Sequence, residues 1–203
     1  MGRNATLSGT RRNRHRGFSM VELAVSMTVL LILTAIAIPS LLRSFRAYQL
    51  NDAAARVSDM LKFTRFEAVR RNTTISFRMQ PSGADWIVGV DSNGNSTIDL
   101  AENQFVITGF ATLLPSGVAP GPAAITTALG GAALTTLSGN PNSVTFDARG
   151  AIRTGGLVSS SVYVFYLGNT TNPDFGYRAV ILLPSGSTQI WTAPNGGVWQ
   201  QVN

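Results

Sequence analysis

The chain has 203 residues, 44% of them hydrophobic, which fits one medium-sized domain with an anchor or tail. It contains no cysteine, and this excludes disulfide bonds, thiol nucleophiles and thiolate metal sites. The formal net charge of +6 comes largely from five arginines within residues 1–16; without them, 11 basic residues face 10 acidic ones, and the resulting charge of +1 favours no polyanionic partner.

Residues 18–38 form an apolar run in which Glu22 is the only ionisable side chain. The run is long enough to cross a hydrocarbon core of about 30 Å as one helix. Short arginine-rich flanks stay in the cytoplasm, so the amino end is expected inside and the rest of the chain outside. The sequence therefore predicts a single-pass anchor with an external head.

The start of this run has a particular spacing, in which Gly17 and Phe18 precede Glu22 and Pro39 follows the apolar helix. A charged side chain within a spanning helix costs about 2.5–3.5 kcal/mol on insertion scales, so it usually has a partner. The pattern resembles the class III signal of type IV pilins and pseudopilins. This resemblance implies that prepilin peptidase cuts between Gly17 and Phe18 and methylates the new amino terminus, and that Glu22 pairs with the terminal amine of a neighbouring subunit.

The same resemblance implies a location and a set of partners. Residues 1–17 are then a cleaved prepilin leader, and the protein crosses the bacterial inner membrane once, with a cytoplasmic amino terminus and a periplasmic head. Other pilins or pseudopilins bind through the amino-terminal helix when the subunit enters a pilus or pseudopilus. Assembly relieves the cost of an unpaired carboxylate in lipid, because the neighbour supplies a cation.

Two other interpretations of the apolar run remain open. It could be a plain anchor in which Glu22 reaches the inner interface, although the Gly-Phe-x-x-x-Glu spacing is then a coincidence. It could also be a secretory signal, because Ala35-Ile36-Ala37 fits a cleavage site after an apolar region. The position of the carboxylate at the front of the run argues against that second interpretation.

Beyond Pro39 the helical pattern continues to about Arg71, so we predict one helix over residues 18–71 that spans the membrane to about residue 38. One face repeats at spacings of four and three, which is typical of a helix that packs on a core. The residues of this face are Leu50, Ala54, Val57, Leu61, Thr64 and Ala68. Met60, Phe63 and Phe66 are expected to widen the stripe.

After the helix the apolar period changes to two, which is typical of strands. The predicted strands are residues 73–79, 85–91, 104–110, 143–147, 151–153, 161–167, 177–183 and 187–192. We therefore expect an α+β fold, in which the long helix packs on an antiparallel β-sheet head formed by residues 72–203. Residues 112–142 carry no charge and no clear period, and we expect a crossing connection with a short strand or a turn of helix.

The order of the motifs along the chain points to one group within the pilin-like proteins. The long helix is followed by R-x-N-T-T-I-S-F at 70–77, then by Asp91-Ser-Asn-Gly-Asn and S-V-T-F-D-A-R-G at 143–150. This order is similar to that of the GspH/FimT group of minor pseudopilins over residues 17–192. The resemblance implies a non-enzymatic subunit at or near the tip of a type IV pilus or a type II secretion pseudopilus, where it helps to start assembly.

Residues 91–102 could form a cation site, because they follow the spacing of an EF-hand loop. Oxygen-bearing side chains stand at positions 1, 3, 5, 9 and 12, which are Asp91, Asn93, Asn95, Asp99 and Glu102. Ser96 replaces the glycine that normally takes the sharp turn at position 6. The alternative is a polar hairpin held by Asx turns, which needs no calcium; we favour it and expect no metal or other cofactor.

Two other functions compete with filament assembly. DNA uptake would need phosphate contacts from the late strands, where Arg149, Arg153 and Arg178 are the only basic residues, so nucleic acid is not expected as a partner. An anchored enzyme would need carboxylates such as Asp85, Asp147 and Asp174 to meet. The one histidine, His15, lies in the leader, so the mature chain has no histidine for a catalytic triad or a metal site.

Overall fold

The computed structural model describes residues 18–137 and 142–202. The chain divides between Leu41 and Leu42 into two compact units. Helix α1, Met20–Arg71, begins in the first unit and ends in the second. The second unit, residues 42–203, is called the head unit below, and it holds all twelve strands of the described part of the chain.

Within the head unit, one face of α1 is fully buried. All six predicted stripe residues are at most 1% exposed: Leu50, Ala54, Val57, Leu61, Thr64 and Ala68. Met60 is also buried, but Phe63 is 39% and Phe66 64% exposed. The prediction that all three widen the buried stripe is therefore wrong. At 3.6 residues per turn Phe66 points about 140° away from Leu61, and it therefore leaves the core.

The end of α1 is set by Asn72, whose φ of 50° is left-handed. The Thr73 N–H donates to the Ala68 carbonyl (3.1 Å) and the Asn72 N–H donates to the Val69 carbonyl (3.2 Å). This is the Schellman arrangement, in which asparagine takes the place of the usual glycine. It occupies the residues before Ile75, which is why the first strand begins there and not at residue 73.

The remaining elements follow in chain order. The strands are β1 Ile75–Ser82, β2 Asp85–Asp91, β3 Gln104–Ile107, β4 Thr112–Leu114, β5 Leu134–Thr136, β6 Asn142–Phe146, β7 Ile152–Thr154, β8 Leu157–Val158, β9 Val162–Gly168, β10 Tyr177–Leu182, β11 Thr188–Ala193 and β12 Gln200–Val202. A short helix α2, Ala123–Ala128, lies between β4 and β5, and a 3₁₀ turn, Pro173–Phe175, precedes β10.

The strands form two sheets in the described part of the chain, and not the one sheet of hairpins that we predicted. The first has the order β3-β2-β1-β6-β7-β8. The second has the order β12-β11-β10-β9-β4, and β5 adds to β9 in parallel, whereas the other pairs are antiparallel. The uncharged connection contributes two strands to the second sheet, because β4 and β5 both pair with β9. The α+β class, with a long helix on antiparallel sheets, is confirmed.

The central strands of the second sheet, β9 and β10, are buried on both faces. All seven residues of β9 are buried, and alternate ones contribute to different cores. Phe165 packs edge-to-face on Phe77 of the first sheet, at 5.4 Å between ring centroids, in the core that α1 covers. Tyr166 lies in the other core with Trp199 and with Ile125 of α2. Two cores thus hold the head unit together, one on each side of the second sheet.

Candidate functional site

The first turn of α1 is capped by Ser19. The backbone N–H of Glu22 donates to the Ser19 hydroxyl at 3.1 Å, which satisfies one of the free donors at the helix start. Ser19-x-x-Glu22 is the spacing of a capping box, a signal that the sequence analysis missed. Phe18 is 78% exposed, and Gly17, the other residue of the predicted cleavage site, lies outside the described residues.

Glu22 lies on the exposed surface of this first turn. No hydrogen bond or ion pair from residues 18–137 or 142–202 reaches its carboxylate. A negative charge is favoured near a helix amino terminus, because the backbone dipole is positive there. The carboxylate is therefore free to accept a donor from outside the chain.

The helix surface that follows Glu22 is apolar and uncovered. Leu30 and Ile36 are more than 60% exposed, and every described residue before position 46 is exposed. The hydroxyls of Ser26, Thr28 and Thr34 donate back to carbonyls of the preceding turn at 2.7–2.9 Å, so this surface presents few free polar groups. In the described residues, α1 is the helix that is long and apolar enough to cross a membrane.

The 91–102 loop begins at Asp91, whose carboxylate is already occupied. Arg78 donates to one oxygen at 2.7 Å, and the side chains of this ion pair are 11% and 0% exposed. The N–H of Gly94 donates to the other oxygen at 2.7 Å, and the N–H of Ser96 donates to the first at 3.0 Å. A cation at position 1 of the loop would therefore compete with a buried guanidinium.

The other four candidate ligands bond to groups of the loop itself. Asp99 accepts hydrogen bonds from the side-chain amides of Asn93 and Asn95, both at 2.8 Å. Glu102 accepts from the N–H and the hydroxyl of Ser92, at 2.6 and 2.9 Å. These contacts form an Asx-type hairpin of the kind that needs no ion. Among the described residues, no group of three or more acidic or histidine side chains is arranged to hold a metal.

Ser96 takes the strained conformation that the spacing predicts. Its φ is 70°, in the left-handed region where glycine is normally found. Two side-chain oxygens hold the turn: the Asp91 carboxylate accepts from the Ser96 N–H, and the Asn95 amide oxygen accepts from the Thr97 N–H at 2.9 Å. The loop is therefore fixed by its own polar side chains.

Of the three arginines considered for DNA binding, two are engaged. Arg178 is buried, donates to the Asn51 side chain at 2.6 Å, and has its pKa lowered by burial. Arg153 donates to the Asp147 carboxylate at 3.0 Å. Arg149 is exposed and has no ion pair among the described residues, and one unpaired cation is too few for strong phosphate binding.

The three carboxylates that an anchored enzyme would need, Asp85, Asp147 and Asp174, lie in different places. Asp147 holds a tight turn, and its pKa is lowered mainly by the Ala151 N–H, with help from the N–H of Arg149 and the Arg153 side chain, while burial opposes the shift. Asp174 lines a separate cavity with Phe175, and Asp85 lies at the start of β2. The structure therefore does not bring the three together.

One further carboxylate was not singled out in the sequence. Glu67, on the last turns of α1, is buried and binds Arg70 and Arg71. The hydrogen bond from Arg70, with that from Arg71, lowers the pKa of Glu67 to about 2, although burial opposes the shift. The three charges thus close the helix end with a local network, although the side chains of Arg70 and Arg71 remain about half exposed.

Comparison with known proteins gives two family matches. A family model described as type II transport protein GspH matches residues 53–186, and one described as the prokaryotic N-terminal methylation motif matches residues 12–38. Among solved structures, the chain is similar to the type IV minor pilin FimU of Pseudomonas aeruginosa, with 19% identity, a TM-score of 0.45, and coverage of 77% of this chain and 94% of that one. No curated protein matches.

The two family matches cover complementary parts of the molecule. The methylation motif includes the predicted cleavage site, Glu22 and the apolar run, and the other match runs from the buried face of α1 to the turn before β11. The GspH match alone spans more than half of the chain. The resemblance drawn from the sequence motifs is thereby confirmed, and the chain belongs to the GspH family of type II transport proteins.

Proposed function

We propose that this chain is a minor pilin-like subunit that prepilin peptidase processes and that takes part in assembling or priming a filament, either a type IV pilus or a type II secretion pseudopilus. The observation that carries the proposal is the match to the methylation motif at residues 12–38, which includes an apolar helix surface that no other described residue covers. The role is structural and not catalytic.

The proposed sequence of events starts in the inner membrane. The arginine-rich leader keeps the amino terminus in the cytoplasm, and the head unit faces the periplasm. The peptidase cuts between Gly17 and Phe18 and methylates the new amine, which then lies next to the Ser19 cap. The exposed apolar face of α1 leaves lipid for the helices of neighbouring pilins or pseudopilins.

Glu22 gives this assembly its register. Its carboxylate has no partner within residues 18–137 and 142–202, and it stands one turn from the new amino terminus. A terminal amine of a neighbouring subunit would neutralise it, whereas a shifted register would leave a charge in an apolar surrounding. That cost, about 2.5–3.5 kcal/mol on insertion scales, selects the paired arrangement.

The proposal is tested with Glu22→Ala in the full chain, with Ser26→Ala as the control one turn later. Leader removal and recovery in sheared filaments or in complexes with partner subunits are measured by immunoblot. Glu22→Ala is expected to be processed normally but to enter the assembly at least about tenfold less, since losing only half of the 2.5–3.5 kcal/mol preference, about 1.4 kcal/mol, is already a factor of ten. Ser26→Ala is expected to behave as the wild type. Normal recovery of Glu22→Ala would remove the proposed role of this carboxylate.

A further inference from the structure

A cavity of about 540 Å³ lies in the head unit between the first residues of α1 in that unit and the 3₁₀ turn before β10. It is lined by Arg43 and Ala47 of α1 and by Asp174 and Phe175 of the turn. Its volume falls within the range of about 300–1,000 Å³ that ligand pockets occupy. The cavity therefore presents one cation and one anion to the same space.

The two charges do not neutralise each other. Arg43 and Asp174 are both exposed, and no hydrogen bond or ion pair joins either side chain to another described residue. The next arginine of the helix differs, because Arg46 donates to the Gln49 side chain at 3.1 Å and lies over the ring of Phe110, at 4.9 Å from its centroid. Arg43 and Asp174 are thus the two charges that a ligand in this cavity could bind.

The turn that carries Asp174 is held in place by its neighbours. The ring of Phe175 packs edge-to-face on that of Phe110, at 5.0 Å between centroids, and the Asn169 side chain donates to the Phe110 carbonyl at 2.8 Å. Gly176 ends the turn with a φ of 75°, and a Cβ there would lie 2.6 Å from the Ala193 carbonyl oxygen. The carboxylate is therefore presented from a fixed segment.

Arg43 lies at the depth of lipid headgroups if the apolar run crosses the membrane. In α1, which contains both residues, it follows Ile38, the last residue of the run, by five residues. At a rise of 1.5 Å per residue, this is about 7.5 Å along the helix. The headgroup layer extends about 5–7.5 Å beyond each side of the hydrocarbon core. Tyr48, which follows one turn later, is exposed, and tyrosine is enriched at membrane–water interfaces.

The two charges select the kind of headgroup. A guanidinium binds phosphate well, so Arg43 suits the phosphate that phospholipid headgroups carry. Asp174 would repel a purely anionic headgroup but would pair with an ammonium group, which the ring of Phe175 also attracts. We propose that the cavity binds the phosphoethanolamine headgroup of a zwitterionic phospholipid, with the phosphate on Arg43 and the ammonium on Asp174. This site goes beyond filament assembly, although its depth rests on the proposed membrane topology.

A single cation is sufficient for this ligand, although it is too few for DNA. DNA has to be captured from solution, whereas the anchored helix keeps lipid headgroups next to Arg43 at a high effective concentration. The site holds the base of the head unit at the membrane before assembly, and it is vacated when α1 leaves the lipid. It requires no second copy of the chain, so it suits a subunit that is present in few copies.

The test compares two lipids that share the phosphate and differ in the ammonium group. The full chain, purified in an uncharged detergent, is mixed with equal amounts of phosphatidylethanolamine and phosphatidylglycerol of the same acyl chains, and the lipid retained is counted by native mass spectrometry. We expect the wild type to prefer phosphatidylethanolamine about threefold, as for one exposed ion pair. Arg43→Gln should retain less of both lipids, whereas Asp174→Asn should lose phosphatidylethanolamine, gain phosphatidylglycerol and show no preference.

The control variants change the same charges elsewhere in the head unit. Arg149→Gln and Asp85→Asn should keep the preference of the wild type, and Arg43→Lys, which keeps the charge, should still retain lipid. Circular dichroism checks that each variant is folded. A wild type without preference, or Arg43→Gln and Asp174→Asn variants that match the controls, would overturn the lipid site. Leader removal is measured separately: a processed chain without lipid preference refutes this site alone, and an unprocessed chain with the preference refutes the proposed function alone.

Discussion

Replacing Asp91 by alanine removes the carboxylate that holds the first turn of the 91–102 loop. Its side chain has no exposed surface, and the guanidinium of Arg78, 2.7 Å away, is only 11% exposed. The variant leaves that cation buried without its partner, a change that typically costs about 3–5 kcal/mol. It also removes the acceptor of the Gly94 and Ser96 N–H groups. For a chain of this size, we expect the Tm to fall by about 6–20 °C.

The assay is thermal unfolding of the full chain in detergent, followed by circular dichroism. Asp85→Ala is the matched control. It removes another carboxylate of strand β2, and this carboxylate has no ion pair among the described residues. Its Tm is expected to stay within about 2 °C of the wild type. An Asp91→Ala variant as stable as this control would show that the Arg78 contact does not stabilise the head unit.

The same assay addresses calcium. An ion bound with the weak affinity of extracellular modules, about 10⁻⁴–10⁻³ M, would raise stability by about 1–3 kcal/mol at 10 mM calcium. Because every candidate ligand already bonds within the chain, we expect no rise in the wild type. A rise that Asn93→Ala abolishes would instead identify the loop as a calcium site.

Two other predictions concern the helix. Since the pKa of Glu67 is lowered to about 2 in the folded chain from an ordinary 4.5, its contribution is full above pH 4.5 and is lost as the pH falls toward 2. Glu67→Gln, which weakens the contacts with Arg70 and Arg71, should lower the Tm at pH 7 and flatten the acid dependence, and parallel curves would contradict this. Leu61→Ala should cost about 2–5 kcal/mol in denaturant unfolding, whereas Phe66→Ala on the exposed side should cost under about 0.5; equal costs would refute the assigned faces.

The course of α1 could be predicted from the sequence because one helix face repeats with a simple period. The period identified buried residues from Leu50 to Ala68, and the prediction failed at Phe63 and Phe66, two aromatic residues that were assigned to the core against their angles on the helix. Ser19 was missed although its spacing from Glu22 is a known capping signal.

The division into two sheets could not be predicted in the same way. Strand β9 is buried on both faces, so its residues read as a continuous apolar run that does not reveal which neighbours it has. Strands β4 and β5 have three residues each, too few to show a period of two, and both pair with β9, which lies far along the chain. Partner choice at that distance depends on tertiary packing.

For the candidate sites, too, local geometry could be predicted from the sequence, whereas contacts with distant residues could not. The spacing of residues 91–102 predicted the strained Ser96, because a twelve-residue loop needs a sharp turn there. It could not predict that Arg78, thirteen residues earlier, fills the position beside Asp91. For Glu22, the resemblance assigns the partner to another chain. A contact between two chains cannot be predicted from the sequence of one of them.

The central claim is that this chain enters a filament as a processed subunit. The most direct measurement is the intact mass and amino-terminal sequence of the protein from its native membrane, with and without active prepilin peptidase. We predict a mature chain that starts at N-methylated Phe18 and a full-length precursor when the peptidase is inactive. A start at Ile38 would mean a freely secreted head without its apolar anchor, and an uncut Met1 in the presence of the peptidase would mean a plain anchor; either would contradict the claim.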